Sequence, residues 1–273
     1  MKVTSADGIV ISVVVEGAGP PMMLVSGTGD DQSRYGRVSP MLGKRFTLYG
    51  VDRRGRGESS DDFPQGFMDE AGDMLAVIDA IHAETGPVNL FARSYGALVC
   101  LEAMWQTEKL HSVMLYEPPM PLYERIDGVD PRKPLIRTMA ELLAKGEIDE
   151  MITLYLRDFL GSSPEAVERQ KTNPKAWGRW RSMAPTVPRE LSLVSDYEFD
   201  PAKYVNFKSS LAVMVGGTSR PGMLRAAERI RGGIAGTEIV ELPGEGHSAM
   251  TSSPEMFASA VMTFFNGANQ TAK

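Results

Sequence analysis

A mostly parallel α/β sheet, covered by helices on both faces and interrupted late by a helical insertion, is predicted by three observations. Short apolar runs alternate with amphipathic stretches as far as Glu117. From Pro118 to about Phe207 that alternation stops and helix-like segments follow one another. Strand and helix signals resume at Leu211. Strands that alternate with helices need crossover connections, and those favour parallel pairing with both faces covered.

The elements follow in order. Ile9 to Glu16 is β-branched and alternating, Gly17 to Pro21 breaks it, and Met22 to Ser26 is a second apolar run, so the chain is expected to open on two paired strands. Phe46 to Asp52 reads as a strand, the polar segment Arg53 to Gly66 as a separator, and Met68 to Glu84 as a long amphipathic helix. Val88 to Ala92 is a short apolar strand, followed at once by a helix over Tyr95 to Trp105 and a strand over Ser112 to Glu117. The insertion reads as helices near Pro134 to Lys145, Ile148 to Leu160, Pro164 to Lys171, Pro174 to Met183 and Pro188 to Ser195. Four of these carry a proline at or near the first turn, where its missing N–H costs nothing. Leu211 to Gly216, Met223 to Gly232, Thr237 to Pro243 and Pro254 to Phe265 then give strand, helix, strand and helix, and the polar tail Asn266 to Lys273 is expected to fray.

Composition narrows the function. Twenty-nine Lys and Arg against 35 Asp and Glu leave a net charge of -6, with no bulk basic face for nucleic acid. The single Cys100 cannot close an internal disulfide, the first 25 residues lack a basic start followed by an apolar run, and no apolar stretch reaches membrane-spanning length. A cytoplasmic protein without a membrane or nucleic-acid partner is the expectation.

Chemistry is suggested first by Leu90-Phe91-Ala92-Arg93-Ser94-Tyr95-Gly96-Ala97, where strand, tight turn and helix meet. A serine on so sharp a turn needs small residues two positions to either side, because the two backbones pass close together; Ala92 and Gly96 supply them. The competing reading is a serine that merely caps the helix. A serine nucleophile needs a base. Of the three histidines, His82 lies late in the long helix and His111 just before the strand that ends at Glu117. His247 lies in the Gly-rich loop after the last strand, Leu242-Pro243-Gly244-Glu245-Gly246-His247-Ser248-Ala249, where a ring can reach the strand ends.

On these motifs the chain resembles the α/β-hydrolase superfamily over nearly its whole length. Besides the Ser94 turn and the Gly246-His247 loop, the matching pieces are Ser26-Gly27-Thr28-Gly29, in the place of the oxyanion loop, and the turn Asp52-Arg53-Arg54-Gly55-Arg56-Gly57-Glu58-Ser59, expected to brace that loop. The resemblance implies an eight-stranded, mostly parallel sheet formed by residues 1–118 and 208–273. It also implies a helical cap or lid over 119–207, inserted after strand six. Apolar and aromatic residues of the insertion, among them Tyr155, Trp177, Trp180 and Met183, would line a hydrophobic substrate pocket, although the same spacing serves ordinary core.

Departures from the superfamily pattern are informative. Most relatives have His-Gly where this chain has Ser26-Gly27, and His where it has Arg93, a residue that reads either as an attractor of acidic substrates or as one half of a structural pair. The usual acid position after strand seven reads Gly216-Gly217-Thr218-Ser219-Arg220-Pro221 and holds no carboxylate. Glu117, at the end of strand six, is the favoured substitute, since that strand lies beside the one bearing Ser94 in the expected sheet. Fungal lactonases that open zearalenone are similar in this respect. Asp196, Glu198 and Asp200 compete for the role, whereas Glu245 is too near His247 in sequence. Backbone N–H groups of Tyr95 and of Thr28, with Gly29 as the alternative, suit the oxyanion.

A dinucleotide site is excluded because neither Gly27-Thr28-Gly29 nor Gly55-Arg56-Gly57 is followed by the third glycine of the fingerprint. Metal hydrolysis lacks any paired-His spacing. The expected function is hydrolysis of a small, largely hydrophobic carboxylic ester or lactone by Ser94, His247 and Glu117, without cofactor or metal; the sequence leaves the oligomeric state open, a homodimer included. The alternatives are a carbon–carbon bond hydrolase using the same residues and a ligand-binding relative without catalysis.

Overall fold

A computed structural model describes residues 1–62, 66–120 and 129–271. Part of the expected separator (63–65), the start of the expected insertion (121–128) and the last two residues of the tail (272–273) lie outside the described residues.

Eight strands form one sheet: β1 Lys2–Thr4, β2 Val10–Gly17, β3 Pro21–Val25, β4 Thr47–Asp52, β5 Val88–Arg93, β6 Leu110–Tyr116, β7 Ser210–Gly216 and β8 Glu238–Leu242. Their spatial order is β1-β2-β4-β3-β5-β6-β7-β8. In the order from β4 to β8 every neighbouring pair is parallel; only β2 runs against the rest, and β1, antiparallel to β2, points the same way as the others. The helices are α1 Ser39–Leu42, α2 Phe67–Thr85, α3 Tyr95–Met104, α4 Lys133–Ala144, α5 Ile148–Leu154, α6 Pro164–Lys171, α7 Pro174–Met183, α8 Val187–Asp196, α9 Pro221–Gly233, α10 Ala249–Ser252 and α11 Pro254–Thr271.

Two expectations are corrected at the N-terminus. The opening strands are not paired with each other, because β4 lies between them: Val14 of β2 faces Gly50, and Leu24 of β3 faces the same Gly50 from the other side. Every residue of β3 is buried, as a strand flanked on both edges and covered on both faces must be, whereas the second half of β2 is exposed. A further strand, β1, folds back on β2 with Lys2 opposite Ser12. Three residues are too few to show a period. The tail is corrected as well, since α11 continues from Pro254 to Thr271 instead of ending at Phe265.

The chain divides into two compact units, Met1–Met120 with Phe199–Lys273, and Pro121–Glu198. In the first, Met22, Leu24, Phe91, Met114 and Met214 from the sheet pack with Phe257, Val261 and Phe265 of α11. Phe199 to Phe207 belongs to this unit: the Tyr204 hydroxyl donates to Leu101 O, and Lys203 pairs with buried Glu102. The second unit has its own core of Ile136, Met139, Met151, Ile152, Tyr155, Leu156, Val167, Trp177 and Leu191. Prolines stand in the first turns of α4, α6, α7 and α8, and Ser163 and Asn173 cap α6 and α7 by accepting from backbone N–H groups. The helix expected over Ile148 to Leu160 changes character at Tyr155, where a single widened turn, Tyr155–Phe159, closes with Leu160 N–H on Tyr155 O.

Candidate active site

At the tip of β5 the chain reverses into α3 through Ser94, whose φ of 53° and ψ of -128° are costly for a residue with a side chain. Its N–H donates to Tyr116 O at 2.8 Å and its carbonyl accepts from Ala97 N–H at 2.9 Å, so the strain is held by β6 on one side and α3 on the other. The small residue expected two positions after Ser94 is demanded by the backbone approach there. A Cβ on Gly96 would stand 2.3 Å from Ser26 O, and one on Gly27 would stand 2.8 Å from Ser94 Cβ. The loop after β3 therefore lies directly against the Ser94 turn.

One strand further along, Glu117 follows β6 with φ 49°, the other non-glycine residue of positive φ among those described. Its N–H donates to Met214 O at 3.0 Å, and its side chain is fully buried. Oε1 accepts from Gly216 N–H at 2.8 Å and from the Ser219 hydroxyl. Oε2 meets His247 Nδ1 at 2.5 Å. Burial alone would raise the Glu117 pKa, but the hydrogen bonds from His247, Ser219 and Gly216 outweigh it and hold the carboxyl below its ordinary range. A carboxylate only accepts, so the ring proton sits on Nδ1 and Nε2 is the basic nitrogen. Partial burial, then the nearby Arg93 charge, lower the pKa of His247, against the opposing pull of Glu117. The balance favours the neutral imidazole.

The His247 loop is pinned at three further places. Arg93 donates to His247 O through Nη2 at 2.9 Å and Nε at 3.3 Å, and its Nη1 reaches Asp30 Oδ2 at 2.8 Å. The Tyr116 hydroxyl donates to Gly246 O and accepts from Ala249 N–H at 3.4 Å. Arg34 donates to the Ser248 hydroxyl at 3.2 Å. Ser94 Oγ and His247 thus sit on segments tied to one another through β6 and Arg93, with no direct hydrogen bond between the two side chains in this structure.

On the opposite side of Ser94, the loop that carries Thr28 is braced as expected. Arg53, buried, donates from Nε to Ser26 O and from Nη2 to Gly27 O, each at 3.0 Å, and pairs through Nη1 with buried Glu70. Glu70 accepts from the Tyr95 hydroxyl at 2.7 Å, and the Arg53 guanidinium stands 4.7 Å from the Tyr95 ring centre. Arg54 is held in turn by Asp73 and Asp7. Thr28 is half-buried, with no backbone acceptor for its N–H among the described residues, while Gly29 takes φ 68°. Tyr95 is the first residue of α3, where an N–H has no partner within the helix's own ladder.

Two of the three competing carboxylates, Asp196 and Asp200, and the neighbouring Glu245 make their bonds elsewhere. Asp196 pairs with Lys133 at 2.6 Å, Asp200 caps the turn at Ala202 N–H at 3.0 Å, and Glu245 accepts from Ser252 and Ser253. The expected pocket-lining residues belong to the second unit and are explained there as packing. Tyr155 stacks on Phe159 and meets Trp180 edge to face, Trp177 donates through Nε1 to Asp149 at 2.9 Å, and Met183 is buried. No group of three metal-ligating side chains gathers among the described residues, and no described helix is long and apolar enough to cross a membrane. Asp30, Tyr116 and Ser219 went unread in the sequence; only the missing strand-seven carboxylate hinted that other groups fill its place.

Comparison with known proteins agrees with this architecture. No curated protein matches. Among solved structures, an alpha/beta hydrolase from Sphaerobacter thermophilus is 28% identical with a TM-score of 0.81, over 97% of this chain and 100% of that one. An esterase from Exiguobacterium antarcticum is 20% identical (TM-score 0.76; 97% and 98% covered), and the enol-lactonase from Burkholderia xenovorans is 18% identical (TM-score 0.73; 97% and 100% covered). Residues 22–260 match the sequence profile described as the alpha/beta hydrolase family, and the chain belongs to that family.

Proposed function

We propose that the protein is a serine hydrolase of small carboxylic esters or lactones. The observation that carries the reading is the hydrogen bond between His247 Nδ1 and Glu117 Oε2, made by a buried carboxylate whose other oxygen is already fixed. In this mechanism Nε2 takes the proton of Ser94 Oγ as the oxygen attacks the substrate carbonyl. Glu117 stabilises the imidazolium that forms, and the N–H groups of Tyr95 and Thr28 receive the oxyanion. Collapse of the tetrahedral intermediate breaks the C–O bond, and the imidazolium returns its proton to the leaving alkoxide. Water, activated by the same ring, then hydrolyses the acyl-serine. In a lactone the alkoxide stays tethered to the acyl group.

A serine held in a strained turn beside a loop with an open N–H, together with a base biased toward its neutral form, supports acyl transfer. The esterase and the enol-lactonase among its structural neighbours favour oxygen esters as the bond class. The test is a fluorophosphonate label mapped by mass spectrometry, beside turnover of a short aryl ester. The adduct is expected on Ser94, and Ser94→Ala is expected to lose both adduct and turnover. Saturable ligand binding unaffected by Ser94→Ala, with no turnover in either protein, would instead make the chain a receptor.

A further inference from the structure

Arg93 stands where the mechanism asks for nothing, directly before the nucleophile, yet it is one of the most constrained side chains of the first unit. It is 5% exposed and spends its guanidinium on two targets, the carboxylate of Asp30 and the main-chain carbonyl of His247. The carbonyl receives two N–H groups from one planar fork, an arrangement that fixes direction as well as distance. Asp30 belongs to the same loop as Thr28, so one cation links the strand end before the nucleophile, the loop of the oxyanion donor and the loop of the base.

We propose that Arg93, held by Asp30, is the positioning residue for the general base, setting both the place of the His247 ring and the charge it experiences. The inference rests on the reading of His247 as that base. Glu117 fixes the ring at Nδ1, but a single hydrogen bond leaves the loop free to pivot about it, and a shift of about 1 Å in a reacting group is enough to cost roughly a hundredfold in rate. Arg93 removes that freedom from the main-chain side, and the Tyr116 hydroxyl does so one residue earlier at Gly246. The charges facing the ring are Glu117 from the end of β6, Arg93 from the end of β5, Asp30 through Arg93 and Arg34 from the turn after the Thr28 loop, with Tyr116 on β6 and a ring-to-ring distance of 6.1 Å. Glu245, next but one in the loop, is turned to Ser252 and Ser253. Of these groups Arg93 is the cation that opposes protonation of the ring most.

The experiment is the pH dependence of kcat and KM for an aryl ester with Arg93→Met, Arg93→Lys and Asp30→Asn, alongside thermal melting. Arg93→Met keeps the bulk and removes charge and donors: kcat is expected to fall roughly ten- to a hundredfold, with KM little changed and the acid limb of kcat/KM moved to higher pH. Arg93→Lys is expected to keep the limb near its wild-type position while recovering only part of kcat. In Asp30→Asn the guanidinium is no longer neutralised, and the limb is expected to move to lower pH. A purely structural role would lower the melting temperature of these variants and leave limb and kcat alone, and that result overturns the proposal. So does a rise in KM at constant kcat, which would make Arg93 a substrate contact. If Arg93→Met does not fold, an acid limb unmoved in Asp30→Asn, with full kcat in Arg93→Lys, overturns it equally. Ser94→Ala is assayed in parallel: surviving turnover defeats the reading of the site and the inference with it, whereas a dead Ser94→Ala confines the Arg93 results to the inference.

Discussion

Replacing Glu117 by Gln isolates the charge of the acid from its shape. Glu117 Oε1 accepts from Gly216 N–H and the Ser219 hydroxyl, so the amide oxygen of Gln takes that side, and the amide NH2 is turned toward His247. An NH2 can only donate, which forces Nδ1 to accept and moves the ring proton to Nε2. The nitrogen facing the substrate then carries a proton and cannot remove one from Ser94. The same exchange in a Ser-His-Asp triad costs about 10⁴ in kcat, or about 5 kcal/mol at 1.36 kcal/mol per decade. A similar loss, of the order of 10³ to 10⁴, is expected here, because the carboxylate is fully buried and no solvent stands in for it. Folding should survive, since the two contacts to Oε1 are unchanged and the third is kept with its donor reversed and its charge lost, at a cost of about 1–3 kcal/mol. Initial rates of aryl ester hydrolysis, with thermal melting of both proteins, measure the two effects separately. A folded Glu117→Gln enzyme within tenfold of wild type, especially beside an inactive Asp196 or Asp200 variant, would refute the reasoning.

Other expectations follow from the same geometry. Because the His247 pKa is lowered and the base must be neutral, the acid limb of kcat/KM should have its midpoint below the ordinary histidine value of about 6.5; a midpoint above it contradicts the role given to burial and Arg93. The linked stability has the same sign for both partners. The neutral His247 and the ionised Glu117 favour the fold at neutral pH, and denaturant titrations should show stability lost as pH falls, first below about 6.5 and then through the depressed Glu117 pKa. Ser94→Gly relieves a backbone conformation that costs about 1–3 kcal/mol, partly offset by roughly 1 kcal/mol of added chain entropy, so it should melt no lower than wild type while losing activity. Gly96→Ala should lose more than about 2 kcal/mol in chemical denaturation, because the added methyl would lie 2.3 Å from Ser26 O, a rigid backbone atom.

Much of this arrangement is readable in the chain itself, for identifiable reasons. The Ser94 turn is legible because close backbone passage leaves a mark, small residues at fixed offsets, and the structure returns that constraint at Gly96. Glu117 is legible only by elimination, since the loop after β7 has no carboxylate. Ser219 shows what that loop does instead, donating to the acid it no longer contains. Arg93 could not be assigned from sequence, because its partners Asp30 and His247 lie 63 and 154 residues away. Strand neighbours are lost in the same way: β2 and β3 are adjacent in the chain and still have β4 between them. Aromatic residues at helical spacing in the widened turn after α5 and in α7 suit a ligand pocket and a core equally well, and the burial of Tyr155 and Trp177 within the second unit's core depends on packing that no local pattern encodes.

Placing Glu117 directly after β6 has a mechanical consequence. Glu117 is anchored to interior strand β7, its N–H on Met214 O and its Oε1 on Gly216 N–H, while Ser219 of the following connection adds one further bond. Gentle warming should therefore not switch the enzyme off in advance of its denaturation. Hydrolytic rate and near-ultraviolet dichroism are expected to disappear over one shared temperature interval.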